Sequence, residues 1–258
     1  VYYTANKLVD GKGDKMSGKN KLDVLVYTPQ LIYVSPTKIG NLTWGWQALL
    51  PIINYTTDMD IPLKENNDVL GDLCFGPYIG GIVPFGPNSR LHWFFDFDIY
   101  APIGSYDKKK AFNPSANYWT LEPFLALTLQ LPYGFSIGTR QHFTYNFKND
   151  EYIHESGEEG DLKAGMLWHF NYEVMKSVDF ISPNLLVGAA GYYGKQLNED
   201  EFEGHDMKNS KEQKFAVGPA IWYLSKNGIV FSLRAYFESN NKATAEGEKV
   251  VARLIVPF

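Results

Sequence analysis

The chain has a single cysteine, Cys74, in 258 residues. That excludes an internal disulfide and a cysteine-based metal site. It has no run of about 18 uncharged apolar residues, so no transmembrane helix can be drawn. It has no Lys/Arg cluster of the kind that meets nucleic acid, and the formal net charge is -5. The five His residues show no metal-ligand spacing, and no Asp-x-Asp-x-Asn-Gly calcium loop occurs. No metal, no cofactor and no nucleic-acid partner are therefore expected. A signal peptide is absent from the sequence, which for a membrane barrel implies a mature or trimmed form. Helical periodicity is missing as well.

What the chain does have is aromatic residues. Tyr and Phe number 17 each and Trp 6, so aromatics make up 16% of the chain. They favour strands and interfacial girdles over helices. The mean hydropathy of -0.26 excludes no barrel, because strands that alternate average out to polar. Twelve strand-like runs can be drawn, at about 1–8, 22–34, 41–54, 69–84, 90–101, 118–130, 133–147, 161–173, 184–196, 213–224, 229–238 and 249–258. They read as one domain over 1–258.

The alternation is clearest in three runs. In 91–100 the apolar face is Leu91, Trp93, Phe95, Phe97 and Ile99, against His92, Phe94, Asp96, Asp98 and Tyr100. In 162–173 the even positions are apolar or aromatic and the odd ones include Lys163, His169, Asn171 and Glu173. In 229–238, Phe231, Leu233 and Phe237 oppose Ser232, Arg234 and Glu238. The last run, 249–258, places Val250, Leu254, Val256 and Phe258 on one face and Lys249 and Arg253 on the other. The connections are sorted too. Those at 9–21, 55–68, 102–117, 148–160, 197–212 and 239–248 are long and polar. Those at 35–40, 85–89, 131–132 and 225–228 are short, and only 174–183 is longer than expected. Long loops at one end and tight turns at the other are the pattern of bacterial membrane barrels, with the turns in the periplasm.

The in-strand charges Arg90, Asp96, Asp98, Glu122, Arg140, Lys163, Arg234, Lys249 and Arg253 all lie opposite an apolar face. A Lys or Arg facing lipid at the midplane costs roughly 2–4 kcal/mol, whereas one facing a wet lumen costs little. A soluble barrel would show the same alternation inverted, so the pattern alone does not choose. The terminal Phe258, the sorted loops and the size of the outward aromatics favour a 12-stranded antiparallel transmembrane β-barrel. Such a chain is expected in the bacterial outer membrane, as a monomer in contact with lipid and lipopolysaccharide.

Several stretches resemble a known family. They are Gly71-Asp-Leu-Cys-Phe-Gly-Pro-Tyr-Ile-Gly80, Tyr100-Ala-Pro-Ile-Gly-Ser-Tyr-Asp107, Asn117-Tyr-Trp-Thr-Leu-Glu-Pro123 and Phe215-Ala-Val-Gly-Pro219. The opening Tyr2-Tyr-Thr-Ala-Asn-Lys-Leu-Val-Asp-Gly11 and the ending Leu254-Ile-Val-Pro-Phe258 fit as well. Together they resemble the proteobacterial outer-membrane channel family labelled "MetA-pathway of phenol degradation", over essentially the whole chain. The resemblance implies a 12-stranded channel for small hydrophobic or aromatic compounds. It also implies more sequence before the first strand than is present here.

The lumen is the first candidate site. Its expected lining is Asp96, Asp98, Glu122, Arg140, His142, His169, Arg234 and Arg253. Acidic and basic walls facing each other put a transverse field across a pore. The same residues could equally be ion pairs that fill a barrel of this size, and both readings stand. Phe94, Tyr100, Tyr118, Phe124 and Tyr236 offer a path for aromatic solutes, or packing. Pro29, Pro77, Pro123 and Pro219 cannot donate ladder hydrogen bonds and could open a lateral gap into the bilayer. The loop 101–117, with Lys108, Lys109 and Lys110 at its tip, could fold inward as a gate; otherwise it lies at the lipopolysaccharide surface. The acidic loop residues Glu151, Glu155, Glu158, Glu159 and Asp161, and Glu199, Asp200, Glu201, Glu203 and Asp206, are expected to be solvated.

No enzyme is expected. Gly134-Phe-Ser-Ile-Gly138 has the Gly-x-Ser-x-Gly pattern, but a nucleophile elbow needs a following helix, and Ser136 lies in an alternating strand. His142 on the same strand is roughly 20 Å away at strand rise. A His from a neighbouring strand would be needed to make it a base. The favoured function is passive uptake of small hydrophobic or aromatic molecules. The alternatives are a structural or adhesive barrel with no open pore and, less favoured, a lipid-modifying enzyme.

Overall fold

The computed structural model describes residues 1–59, 69–110, 112–154 and 156–258. Glu155 and most of the 55–68 connection lie outside the described residues. The first strands are β1 (Tyr2–Val9), β2 (Asn20–Tyr27), β3 (Gln30–Val34), β4 (Thr43–Leu49), β5 (Ile52–Met59), β6 (Leu73–Pro84) and β7 (Arg90–Ala101). Next come β8 (Thr120–Gln130), β9 (Phe135–Asn146), β10 (Lys148–Ile153), β11 (Glu159–Lys163), β12 (Leu167–Val178) and β13 (Ser182–Gln196). The last are β14 (Asp200–Phe202), β15 (His205–Met207), β16 (Gln213–Leu224), β17 (Val230–Glu238) and β18 (Thr244–Ile255).

Fourteen of these strands form one antiparallel sheet, and four, β10, β11, β14 and β15, form a small second one. The large sheet closes on itself. β2 pairs with β5 as far as Tyr27 opposite Ile52, and β3 pairs with β4 from Gln30 opposite Leu49. Both ladders lie on one register line. β2 and β3 are therefore one long strand broken at Thr28-Pro29, and β4 and β5 are one long strand broken at Leu50-Pro51. Each break holds a proline, which has no N–H to give the ladder. Leu50 N still donates to Pro29 O at 3.2 Å. Counted this way, the wall has twelve strands, and β18 pairs with β1 to complete the circle.

The side chains sort by parity. Phe95, Phe143, Phe231, Phe237, Val250 and Leu254 are exposed on the outside. Asp96, Asp98, Glu122, Phe124, His142 and Tyr236 are buried on the inside. An apolar belt of that size, with the charges within, suits a wall surrounded by lipid rather than water.

Three sequence expectations need correction. The eighth wall strand is β12, at Leu167–Val178, about five residues later than 161–173. Lys163 is consequently outside the barrel strand. It ends β11, with its ammonium 5.6 Å from the Tyr145 ring centroid. The shift leaves only 179–181 between β12 and β13, so the one turn that looked too long is short like the others. The terminal strand runs Thr244–Ile255 and not 249–258. Pro257 follows it, and the Phe258 side chain stands free. The polar loops at 148–160 and 197–212 are also more ordered than simple solvated loops, because they supply the second sheet.

Candidate functional site

The inner wall from β3 round to β12 carries a connected set of polar groups. Gln30 follows Pro29, and Gln47 lies opposite Gly76, the residue before Pro77. Arg253, two strands away from β3, donates to Gln30 Oε1 at 2.6 Å. Gln30 Nε2 donates to Gln47 Oε1 at 2.7 Å. Gln47 Nε2 then donates to Asp96 Oδ2 at 2.8 Å and to Asp98 Oδ1 at 2.9 Å. The result is a relay from a guanidinium, through two amides, to a pair of carboxylates. It can cross β6 because Gly76 puts no side chain in the way. The amide order is fixed by the chemistry of the ends, since a guanidinium only donates and an ionised carboxylate only accepts.

Glu122 continues the acidic wall directly opposite Asp98. Its Oε1 lies 2.7 Å from His142 Nδ1 and 3.7 Å from His169 Nε2. The register explains the meeting: His142 on β9 is the direct partner of His169 on β12, and Phe124 on β8 is the direct partner of His142. The rings form a row. Tyr78 and Phe94 have centroids 4.9 Å apart, Phe94 and Phe124 5.8 Å, Phe124 and His142 4.7 Å, and His142 and His169 4.2 Å. Beside the row, a cavity of about 280 Å³ is lined by Tyr78, Phe94, His92, Ala126 and Thr128 together with Gly80. Arg140 stacks over Phe124, 5.1 Å from its centroid. It is solvent-accessible although it points inward, so the barrel is hollow there.

The opposite wall is fuller. Arg234 binds Glu173 Oε2 at 3.0 Å and lies 4.9 Å over the Trp222 ring. Tyr236 sits edge-on to Tyr192 within a cluster of Met175, Ala190, Ala216 and Ala220. Lys249 lies over Tyr192 at 4.2 Å. Three residues of the expected aromatic path stand apart from the row: Tyr236 in this opposite wall, Tyr100 and Tyr118. Tyr100 is the ladder partner of Cys74 above Asp98. Tyr118 belongs to the loop before β8. Burial pushes its hydroxyl up to about 12, and it lies within electrostatic range of Asp200, Glu212 and Asp72, which come from separate parts of the rim.

The loop around Tyr118 is tied down on two sides. Asp72 accepts from Gly104 N at 3.1 Å and from Ala116 N at 2.9 Å. Tyr106 donates to Glu151 O, and Lys108 pairs with Glu159 of the second sheet. The Glu159 carboxylate holds the Lys108 ammonium above the usual lysine range. Lys108, within the basic tip, is thus engaged with protein.

The four named prolines each interrupt the ladder on one side. Between β6 and β7 the pairing skips Gly76-Pro77, between β8 and β9 it skips Glu122-Pro123, and between β16 and β17 it skips Gly218-Pro219. On their other sides Trp46 faces Pro77, Phe97 faces Pro123 and Ala189 faces Pro219 in unbroken ladders. Pro29 lies in the break between β2 and β3. Ser136 has Gln130 and Met175 as ladder partners, in a strand with no helix after it. Sequence reasoning missed Gln30, Gln47 and Tyr78. Gln30 directly follows Pro29 and Gln47 lies four residues before Pro51, a signal that could have pointed to them.

Known proteins give two points of comparison. The family description "Putative MetA-pathway of phenol degradation" matches residues 5–254. The crystal structure of an outer membrane channel from Pseudomonas putida F1 superposes with a TM-score of 0.78 at 17% identity, covering 98% of this chain and 89% of that one. At that identity the likeness establishes the fold alone. No curated protein sequence matches the chain.

Proposed function

The chain belongs to the family described as putative MetA-pathway of phenol degradation, and on that premise we propose that it is an outer-membrane channel for passive uptake of small hydrophobic or aromatic molecules. The observation that carries the reading is the row of rings from Tyr78 through Phe94 and Phe124 to His142 and His169. Offset stacking between aromatic faces is worth about 0.5–1.5 kcal/mol per pair beyond area burial. A flat apolar solute can exchange one such partner for the next without first being fully wetted. Beside the row, Glu122 is held by His142, Asp96 and Asp98 by Gln47, and Arg140 by the face of Phe124, so these groups line the path already engaged with protein. Tyr118 and its tied loop restrict entry from the long-loop end.

Exit follows the same logic. The breaks at Pro29, Pro51 and Pro77 lie in neighbouring wall strands, and the Gln30–Gln47 relay crosses them on the lumen side. We read this seam as a lateral way into the bilayer, closed by side-chain hydrogen bonds where backbone ones are missing. The chain acts as a monomer.

The test is planar-bilayer recording of the purified chain. The expected result is an ion conductance that an added aromatic solute blocks reversibly, with Phe124→Ala weakening the block. No conductance, together with no solute-driven swelling of liposomes, would sink the channel reading. The packed wall around Met175 and Tyr236 would then favour a structural barrel.

A further inference from the structure

Glu122, His142 and His169 do more than end the aromatic row. Their ligand atoms all lie within 4.8 Å of one another, and among the described residues no other His, Cys, Asp and Glu side chains gather this way. We propose that they form a lumenal binding site for a divalent transition ion, of which zinc is the best fit.

The donor set is two imidazoles and one carboxylate, which suits borderline ions such as zinc over calcium or magnesium. The three ligands stand on adjacent strands, β8, β9 and β12, with a direct cross-strand His–His pair. The strand framework therefore fixes their Cα positions. Zinc needs bonds of about 2.0–2.1 Å and ligand atoms about 3.3 Å apart in a tetrahedron. Glu122 Oε1 and His142 Nδ1, at 2.7 Å, are already closer than that. His169 Nε2, at 3.7 Å from the same oxygen, is slightly too far. Small side-chain rotations that open the near-parallel rings reach the required spacing.

A second observation points the same way. His142 is 7% exposed, yet its Nε2 is buried and has no hydrogen-bond partner. A buried polar atom left unpaired costs about 1–3 kcal/mol. It also means that nothing pins the far edge of the ring, so His142 can turn or tilt toward an ion without losing a bond on that side. Glu122 sits in the Glu122-Pro123 ladder break, where the backbone is freer to adjust. His169 is the most exposed of the three, and its side leaves the fourth coordination position facing the lumen. An ion there would join three strands across one of the proline gaps, and its open position would take water or an oxygen donor from a solute.

The experiment uses the full chain in detergent, stripped with chelator and then titrated with zinc by calorimetry and with cobalt by visible absorption. One equivalent of zinc should bind, and cobalt should give the intense visible band of a tetrahedral site. Glu122→Gln and His169→Asn should each weaken zinc by at least about tenfold, and His92→Ala, in the lumen but outside the cluster, should not. His142→Ala is informative only if its heat-modifiable band on gels persists, and the other two variants decide the matter if it does not. Absence of stoichiometric zinc binding, or binding unchanged in Glu122→Gln and His169→Asn, overturns the proposal. Neither result depends on whether the barrel conducts.

Discussion

Gln47→Leu tests whether the lumen relay holds the seam. Gln47 Nε2 has two hydrogens and gives one to each of Asp96 and Asp98, at 2.8 and 2.9 Å. Hydrogen bonds to charged groups are worth about 1.5–3 kcal/mol each, and the neutral bond from Gln30 adds about 1 kcal/mol. Leu fills nearly the same volume and returns about 1 kcal/mol as apolar burial. Asp96 has no exposed surface, and its Oδ1 already lacks a partner, so solvent cannot replace what is removed. At the low end of these terms a net loss of about 3 kcal/mol is expected, read as a lower urea midpoint in detergent micelles. The six tryptophans report the transition. The second expectation separates mechanism from simple damage. Gln47→Leu combined with Asp96→Asn removes the carboxyl that lost its donor, so it should recover roughly half of the loss. The single variant should also raise bilayer conductance, because the relay no longer spans the wall. A Gln47→Leu cost under about 0.5 kcal/mol, or no recovery with Asp96→Asn, would refute the reasoning.

Other expectations follow from the same structure. Pro77→Ala supplies the missing N–H, so it should close the ladder beside β7 and lower uptake of an apolar solute several-fold while leaving ion conductance intact; unchanged uptake removes the lateral route at that break. Gly76→Ala and Gly218→Ala should both abolish the folded band on heat-modifiability gels, because a Cβ would stand 2.1 Å from Phe97 O and 1.9 Å from Ala235 O. Glu173→Ala leaves Arg234 only Ser232 Oγ, at 3.3 Å, and the Trp222 face. It should cost about 2 kcal/mol by urea unfolding, discounted from a fully buried pair because both side chains are partly wet. The Lys108–Glu159 contact raises the lysine above its ordinary value. Its contribution is therefore complete below about pH 10 and fades only as pH rises past the raised value. A spin label at Lys109→Cys should become more mobile above that pH, and in Lys108→Ala should be mobile throughout.

The barrel was legible because its signal is local and repeated. Alternation in 91–100 and 229–238 assigned each residue a face, and the structure keeps those faces. The eighth strand was misplaced for an equally local reason. Leu162 to Glu173 alternates without interruption, and nothing in the pattern says that β11 ends at Lys163 and β12 begins at Leu167. Pairing partners drew that boundary. The proline positions were readable, because the missing N–H is a property of the residue itself. Which side of each proline opens was not, since that depends on which neighbour its nitrogen faces.

The residue pattern was enough to separate an apolar from a charged face in each strand, because a period of two is written residue by residue; that the apolar face turns outward rested on the sorted loops, the large aromatics and the family resemblance. Which interior groups meet is a matter of strand register. His142 faces His169, and Glu122 reaches both, because the β8, β9 and β12 registers bring together residues up to 47 positions apart. Arg253 reaches Gln30 because the last strand closes onto the first two. Alternation fixes a face but not a height along the barrel, and height is set by the register of every strand at once.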